Sequence, residues 1–192
     1  YTYYLQNKYD EAVATARRFL ALYPGNSQAP YAYYLIAMSY YERISDVGRD
    51  QRTTELARVA LQEIIRRYPD SDYARDARLK LDLTEDNLAG KEMSVGRFYL
   101  ARREYAAAAI RFRQVIERYG RTSHVPEALH RLTEVYISLG IPADAQNAAA
   151  VLGYNFPESP WYRDSYRILR QRDLKPVKDQ KSWISRAIDK VL

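Results

Sequence analysis

Apolar positions in this chain recur on one helical face, four times over. Each copy closes on an aromatic residue, at Tyr23, Tyr68, Tyr119 and Phe156. Fourteen positions before these stand Tyr9, Thr54, Tyr105 and Pro142. Three residues on from that start comes an alanine in every copy: Ala12, Ala57, Ala108 and Ala145. At +7 follow Ala16, Leu61, Phe112 and Ala149, and at +10 Phe19, Ile64, Val115 and Leu152. Offsets of 3, 7, 10 and 14 lie on a single side of an α-helix, and the small residue at +3 lets a neighbouring helix approach closely.

The ends of the copies are punctuated alike. Pro24, Pro69 and Pro157 disfavour α geometry at the residue before them, so the helix stops at the aromatic. Ser27, Ser71, Ser123 and Ser159 are candidate caps for the helix that follows. The third copy has Gly120 after its aromatic and Pro126 later, where proline suits the first helical turn. The turns lie 45, 51 and 37 residues apart, longer than the roughly 34 of an ideal tetratricopeptide unit. The excess is expected in a connection over 42–54 and in one long helix from 71 to about 101, with Gly90 and Gly96 as its weak points. The predicted fold is all-α, an irregular tetratricopeptide-like (TPR) helical-hairpin solenoid over residues 1–172. It comprises a partial first unit and roughly four helical units, and 173–192 form a linker and an amphipathic helix.

Composition narrows the function classes. Apolar residues make 47% and charged residues 28%, an ordinary folded composition. No apolar run reaches the roughly 18–20 residues that span a bilayer. With no cysteine, thiolate metal sites, disulfides and a cysteine nucleophile are excluded from this sequence. The net charge of +6 reads as solvated surface spread over helix faces, and no nucleic-acid partner is expected. The opening "YTYYLQNKYDEA" already lies in a helical pattern and carries no signal peptide, which points to a removed start.

The segments "YDEAVATARRFLALYPGNS", "ALQEIIRRYPDSDYARDARLKL" and above all "LAGKEMSVGRFYLARREYAAAAIRF" resemble the BamD (YfiO, ComL) family over about residues 1–170. The resemblance implies an outer-membrane lipoprotein of Gram-negative bacteria with about five TPR-like units. It further implies contact with BamA POTRA domains and other assembly lipoproteins, handling of unfolded outer-membrane barrel proteins, and anchoring by an N-terminal lipid on the periplasmic face. The family's signal peptide, lipid-bearing cysteine and first repeat have no counterpart here. The segment after Asp173 is an extension. A different periplasmic TPR adaptor, coordinating cell-wall synthesis, is the alternative.

Candidate sites follow. The resemblance places Arg111 on a helix that faces BamA, where a guanidinium grips a carboxylate in two-pronged fashion. Its ordinary alternative is an internal pair with Glu104 or Glu117. Phe98, Tyr99, Arg102 and Arg103 surround the same helix corner. Tyr31, Tyr34 and Tyr41 could line a groove for extended peptide, although the 3.6-residue spacing of Tyr34, Met38 and Tyr41 equally suits packing. In the tail, Trp183, Ile184, Ala187, Ile188 and Val191 share one face, opposite Lys181, Arg186, Asp189 and Lys190. That face suits capping the solenoid end, docking on another subunit, or lying on a membrane, and Trp183, Ile184 and Ile188 are its candidate contacts. No catalytic, metal or cofactor site is expected. The triplet His124, Glu127 and His130 reads as solvated surface.

Overall fold

A computed structural model describes residues 1–191, which form ten α-helices without strands among them. They are α1 (Thr2–Leu5), α2 (Tyr9–Leu22), α3 (Ala29–Tyr41), α4 (Arg52–Arg67), α5 (Asp72–Ala101), α6 (Tyr105–Arg118), α7 (Val125–Leu139), α8 (Pro142–Asn155), α9 (Pro160–Arg170) and α10 (Trp183–Ile188). Consecutive helices pack as hairpins, which makes the fold all-α and TPR-like.

The repeat is written into the backbone. Helices α2, α4, α6 and α8 each end on the aromatic of the sequence pattern. The φ/ψ values there are −134°/60° at Tyr23, −134°/57° at Tyr68, −128°/37° at Tyr119 and −135°/56° at Phe156. In every copy the aromatic N–H donates to the carbonyl at +10, on Phe19, Ile64, Val115 or Leu152. Tyr119 keeps this geometry without a following proline, its side chain buried at 5% exposure. All four +3 alanines are buried, as are the +7 residues. Only Phe19 departs at +10, where it is half exposed.

The predicted caps form at Ser71 and Ser159. Ser71 Oγ accepts from the Ala74 N–H at 3.1 Å and Ser159 Oγ from the Trp161 N–H. The start of α3 instead follows Gln28, whose N–H is taken by Asn26 Oδ1 at 2.8 Å, and α7 follows His124. Pro30 and Pro126 lie in these first turns and lack one of the N–H groups that a cap would serve.

The chain forms two compact units, Tyr1–Leu88 and Ala89–Leu192. In the first, α3 packs between α2 and α4 over two clusters. One joins Val13, Ala16, Ile36, Tyr40 and Ala57, and the other Ala37, Leu61, Ile64 and Ala77. The connection before α4 is tied by Gln51, whose side-chain amide donates to the Asp46 and Arg49 carbonyls. In the second unit α7 packs against α6, α8 and α9, and α10 closes on α6 and α8. Phe112, Ile116, Leu129, Leu132 and Leu152 are fully buried there.

The predicted long helix is α5, thirty residues that Gly90 and Gly96 do not interrupt. At Gly96 the missing side chain is a packing requirement. A Cβ there would lie 2.5 Å from Phe112 Cε1 and 2.9 Å from two further ring carbons. Close approach of α5 to α6, not weakness of the helix, explains this glycine.

Candidate partner-binding surfaces

On α6, Arg111 donates from Nη1 to Glu92 Oε2 of α5 at 3.1 Å. Neither carboxylate expected as an internal alternative is its partner. Glu104 is engaged by Arg102 at 3.0 Å and Glu117 by Arg113 at 2.8 Å. The Arg111 side chain remains 36% exposed while Glu92 is 19% exposed, so the guanidinium is held by a carboxylate without the side chain being buried. A pre-oriented, half-shielded guanidinium of this kind is suited to a carboxylate from outside.

Further along α5, Phe98, Tyr99, Arg102 and Arg103 meet at the corner into α6. Phe98 is 56% exposed, its ring set edge-on to Tyr99 and covered on one side by the Arg102 guanidinium at 5.4 Å. Arg103 adopts φ 62°, a left-handed backbone that costs a residue with a Cβ roughly 1–2 kcal/mol. The same turn is made by Asn7 before α2 and by Gly140 before α8. Nine residues of α5 lie between Glu92 and Arg102, about 15 Å along the helix axis, so Arg111 and the corner fall within one standard interface.

The three predicted groove tyrosines separate. Tyr34 donates a short 2.5 Å bond to Asp76 Oδ2 and packs on Tyr73, and burial with that carboxylate pushes its phenol up strongly. The Tyr41 ring packs under Lys80 Nζ at 5.6 Å. Both serve the α3–α5 contact within the first unit. Tyr31 fronts an apolar groove between α2 and α3 with Tyr1, Tyr3, Phe19 and Leu35. A second groove crosses α2, α3 and α4, with Leu20, Ile36 and Tyr40 as floor, Leu56 and Val59 as rim, and Arg17 and Glu63 at the sides. The repeat analysis missed it. The available signal was the pair Leu56 and Val59, apolar residues outside the buried face of their helix.

The tail packs inward. Ile184 and Ile188 are buried against α6 and α8, so they belong to the second unit's own core rather than to a free contact face. Ser185, absent from the predicted apolar face, is buried with them and donates to the Asp179 carbonyl at 2.6 Å. The strap that leads into α10 is held by α8. Gln146 donates to the Lys175 carbonyl at 2.7 Å, Asn147 donates to Ser182 Oγ at 2.6 Å, and Asn147 Oδ1 accepts the Asp179 N–H at 2.8 Å. Trp183 remains partly exposed beneath the Arg113 guanidinium at 4.5 Å.

His130 corrects the expectation of a solvated triplet: it is 3% exposed. Its Nδ1 lies 2.9 Å from Ser165 Oγ, its Nε2 3.7 Å from Glu134 Oε1, and its ring packs on Trp161 at 5.2 Å. Ser165 is wholly buried, so this Ser-His-Glu line clasps α9 to α7 and presents no nucleophile to a substrate. Glu127 pairs with Arg97 and Arg131. Among the described residues no three His, Cys, Asp or Glu side chains gather as a metal site needs.

Burial holds the His130 pKa below its ordinary value, against the attraction of Glu134, Asp164 and Glu127 and with the repulsion of Arg131. The fold therefore favours the neutral ring, and as pH falls the unfolded chain takes up this proton first. That stability is complete above about pH 6.5 and is lost as pH drops from there towards the folded pKa. Thermal melts across this window should show the midpoint falling, and His130→Gln should flatten the fall. An undiminished slope in the variant would place the acid sensitivity at other groups.

Comparison with known proteins gives one family. The model of a family described as YfiO, outer membrane lipoprotein, matches residues 1–152. A Caulobacter vibrioides protein named outer membrane protein assembly factor BamD is 52% identical over 177 residues, covering 92% of this chain and 58% of its own length. A protein of that name from Rickettsia prowazekii is 46% identical over 170 residues, covering 88% of this chain and 68% of its own. The one from Neisseria meningitidis is 34% identical over 177 residues, covering 87% and 66%. The chain thus spans just over half the length of the Caulobacter relative.

Proposed function

Since this chain belongs to the YfiO family of outer membrane lipoproteins, we propose that it is a non-enzymatic scaffold of the outer-membrane β-barrel assembly machinery. In this reading it works by protein–protein contact on the periplasmic face of the outer membrane, where the whole protein is held by an N-terminal lipid. Its partners are the POTRA domains of BamA and other assembly lipoproteins, and its clients are unfolded barrel proteins. The observation that carries the reading is 52% identity to a relative named for outer membrane protein assembly, across 92% of the chain.

The surfaces divide between these roles. Arg111, with the corner of Phe98, Tyr99, Arg102 and Arg103, serves the POTRA contact. Arginine and aromatic side chains of this kind dominate the energetics of protein interfaces. The apolar grooves of the first unit, with Tyr31 on one of them, suit extended hydrophobic segments of a client.

Binding of the purified chain to BamA POTRA domains tests the reading directly. Arg111→Glu should weaken the complex more than about tenfold, because it sets a second carboxylate against the partner's and against Glu92. Unchanged affinity in a folded variant would remove Arg111 from the interface. Absence of binding by the parent chain would remove the partner.

A further inference from the structure

The excess positive charge is not spread evenly. Residues 159–191 hold nine Lys and Arg against four Asp, which accounts for five of the chain's six net charges. Much of it lies on α9. Arg163, Tyr166, Arg167 and Arg170 stand at i, i+3, i+4 and i+7 and are all exposed, a continuous stripe of about 10 Å along the helix. The one acidic residue of α9, Asp164, sits beside the stripe and pairs with Arg167 at 2.9 Å. Exposed Arg172 and Lys175, with exposed Asp173 between them, extend the net positive charge beyond the helix end.

The opposite face of α9 is already used. Ser165 and Leu169 are fully buried, and Leu169 packs with Ala145 and Ala149 of α8. The helix therefore cannot turn an apolar side into a bilayer, and any membrane contact it makes is peripheral and electrostatic. A row of guanidiniums around one tyrosine fits that role. Arginine pairs with phosphate oxygens in two-pronged fashion, and tyrosine is favoured at headgroup level. Such a row needs no matched register, because a lipid surface offers phosphate at every position. A chain of an outer membrane lipoprotein family works beside such a surface.

We propose that the Arg163–Tyr166–Arg167–Arg170 face of α9 docks on anionic phospholipid headgroups. It is a second, salt-sensitive membrane contact, separate from any covalent lipid. Each arginine near an anionic surface strengthens the attraction about fivefold, and the contact fades beyond the Debye length of about 10 Å at 0.1 M salt. The contact orients the second unit with α9 towards the bilayer.

The test uses the unlipidated chain and vesicles of phosphatidylcholine, with or without phosphatidylglycerol, in a sedimentation assay that contains no other protein. It is therefore independent of the POTRA reading. Binding is expected only to vesicles with phosphatidylglycerol and should weaken steeply with added salt. The triple variant Arg163→Glu, Arg167→Glu, Arg170→Glu should lose about a hundredfold or more in vesicle affinity. Its melting temperature controls for folding, and the milder triple glutamine variant should fall between it and the parent. Failure of the parent to bind, equal binding to pure phosphatidylcholine, or undiminished binding by the triple variant would each overturn the proposal. Tighter binding to soluble polyglutamate than to the vesicles would overturn it in favour of an acidic protein partner.

Discussion

Phe112→Ala is expected to destabilise the second unit by about 3–5 kcal/mol, and Gly96→Ala by roughly 1–3 kcal/mol, yet the double variant by clearly less than the two combined. The reason is geometric. The Phe112 ring is fully buried, so its loss leaves a cavity among Ala108, Val115 and their neighbours. The same ring is what a Cβ on residue 96 would strike, at 2.5 Å from Cε1. In the parent the new methyl forces the ring off its site. In the alanine background the ring is gone and the methyl occupies part of the space it left. A coupling of 0.5 kcal/mol or more, of rescuing sign, is therefore expected from urea unfolding of the four proteins. Strict additivity would mean that the ring and the Gly96 backbone do not share one site.

The pair also shows what could be read in the sequence. Phe112 is the +7 residue of its copy, and its burial followed from periodicity, as did that of Leu61 and Ala149. The C-cap aromatics Tyr23, Tyr68 and Phe156 followed from proline chemistry, and the extent of α5 from recurring apolar positions without a proline. Gly96 did not, because a glycine inside a helix pattern signals weakness and close approach alike. Only the neighbour decides between them.

Residues between elements were harder still. The register of α7 places His130 beside Ala128 and Leu129, but three different helices pack on α7 and widen its buried face. Trp161 from α9 then covers the histidine, a contact 31 residues away that no local pattern contains. The internal pair of Arg111 was hidden likewise. Glu104 and Glu117 are near in sequence, but Glu92 is brought close by antiparallel packing of α5 and α6. Among the proposed contact residues, Phe98 and the arginines were recognisable as surface by their position outside the repeat face. The concentration of charge beyond Ser159 was countable but hidden in a chain-wide average.

In the tail, Ile184→Ala and Ile188→Ala should each cost about 2–5 kcal/mol, whereas Trp183→Ala should cost about 1–2 kcal/mol. Both isoleucines are essentially without exposure and lie on the side of α10 that meets α6 and α8. Six residues make too short a helix to persist alone, so α10 exists only while that side is docked. Trp183 is half covered, its stack with Arg113 is worth about 0.5–1 kcal/mol at such an exposed site, and its hydrogen bond with Tyr136 adds about 1 kcal/mol. Loss of an isoleucine should therefore release more than one side chain. The bonds from Asn147 to Asp179 and Ser182 would open with it, and tryptic cleavage at Lys181 and Arg186 should accelerate. Trp183→Ala should leave cleavage nearly unchanged, and it is the only one of the three whose loss can weaken a partner directly. Rapid cleavage in the tryptophan variant with slow cleavage in both isoleucine variants would mean that α10 is held by its outer face, and would return Ile184 and Ile188 to the candidate partner surface.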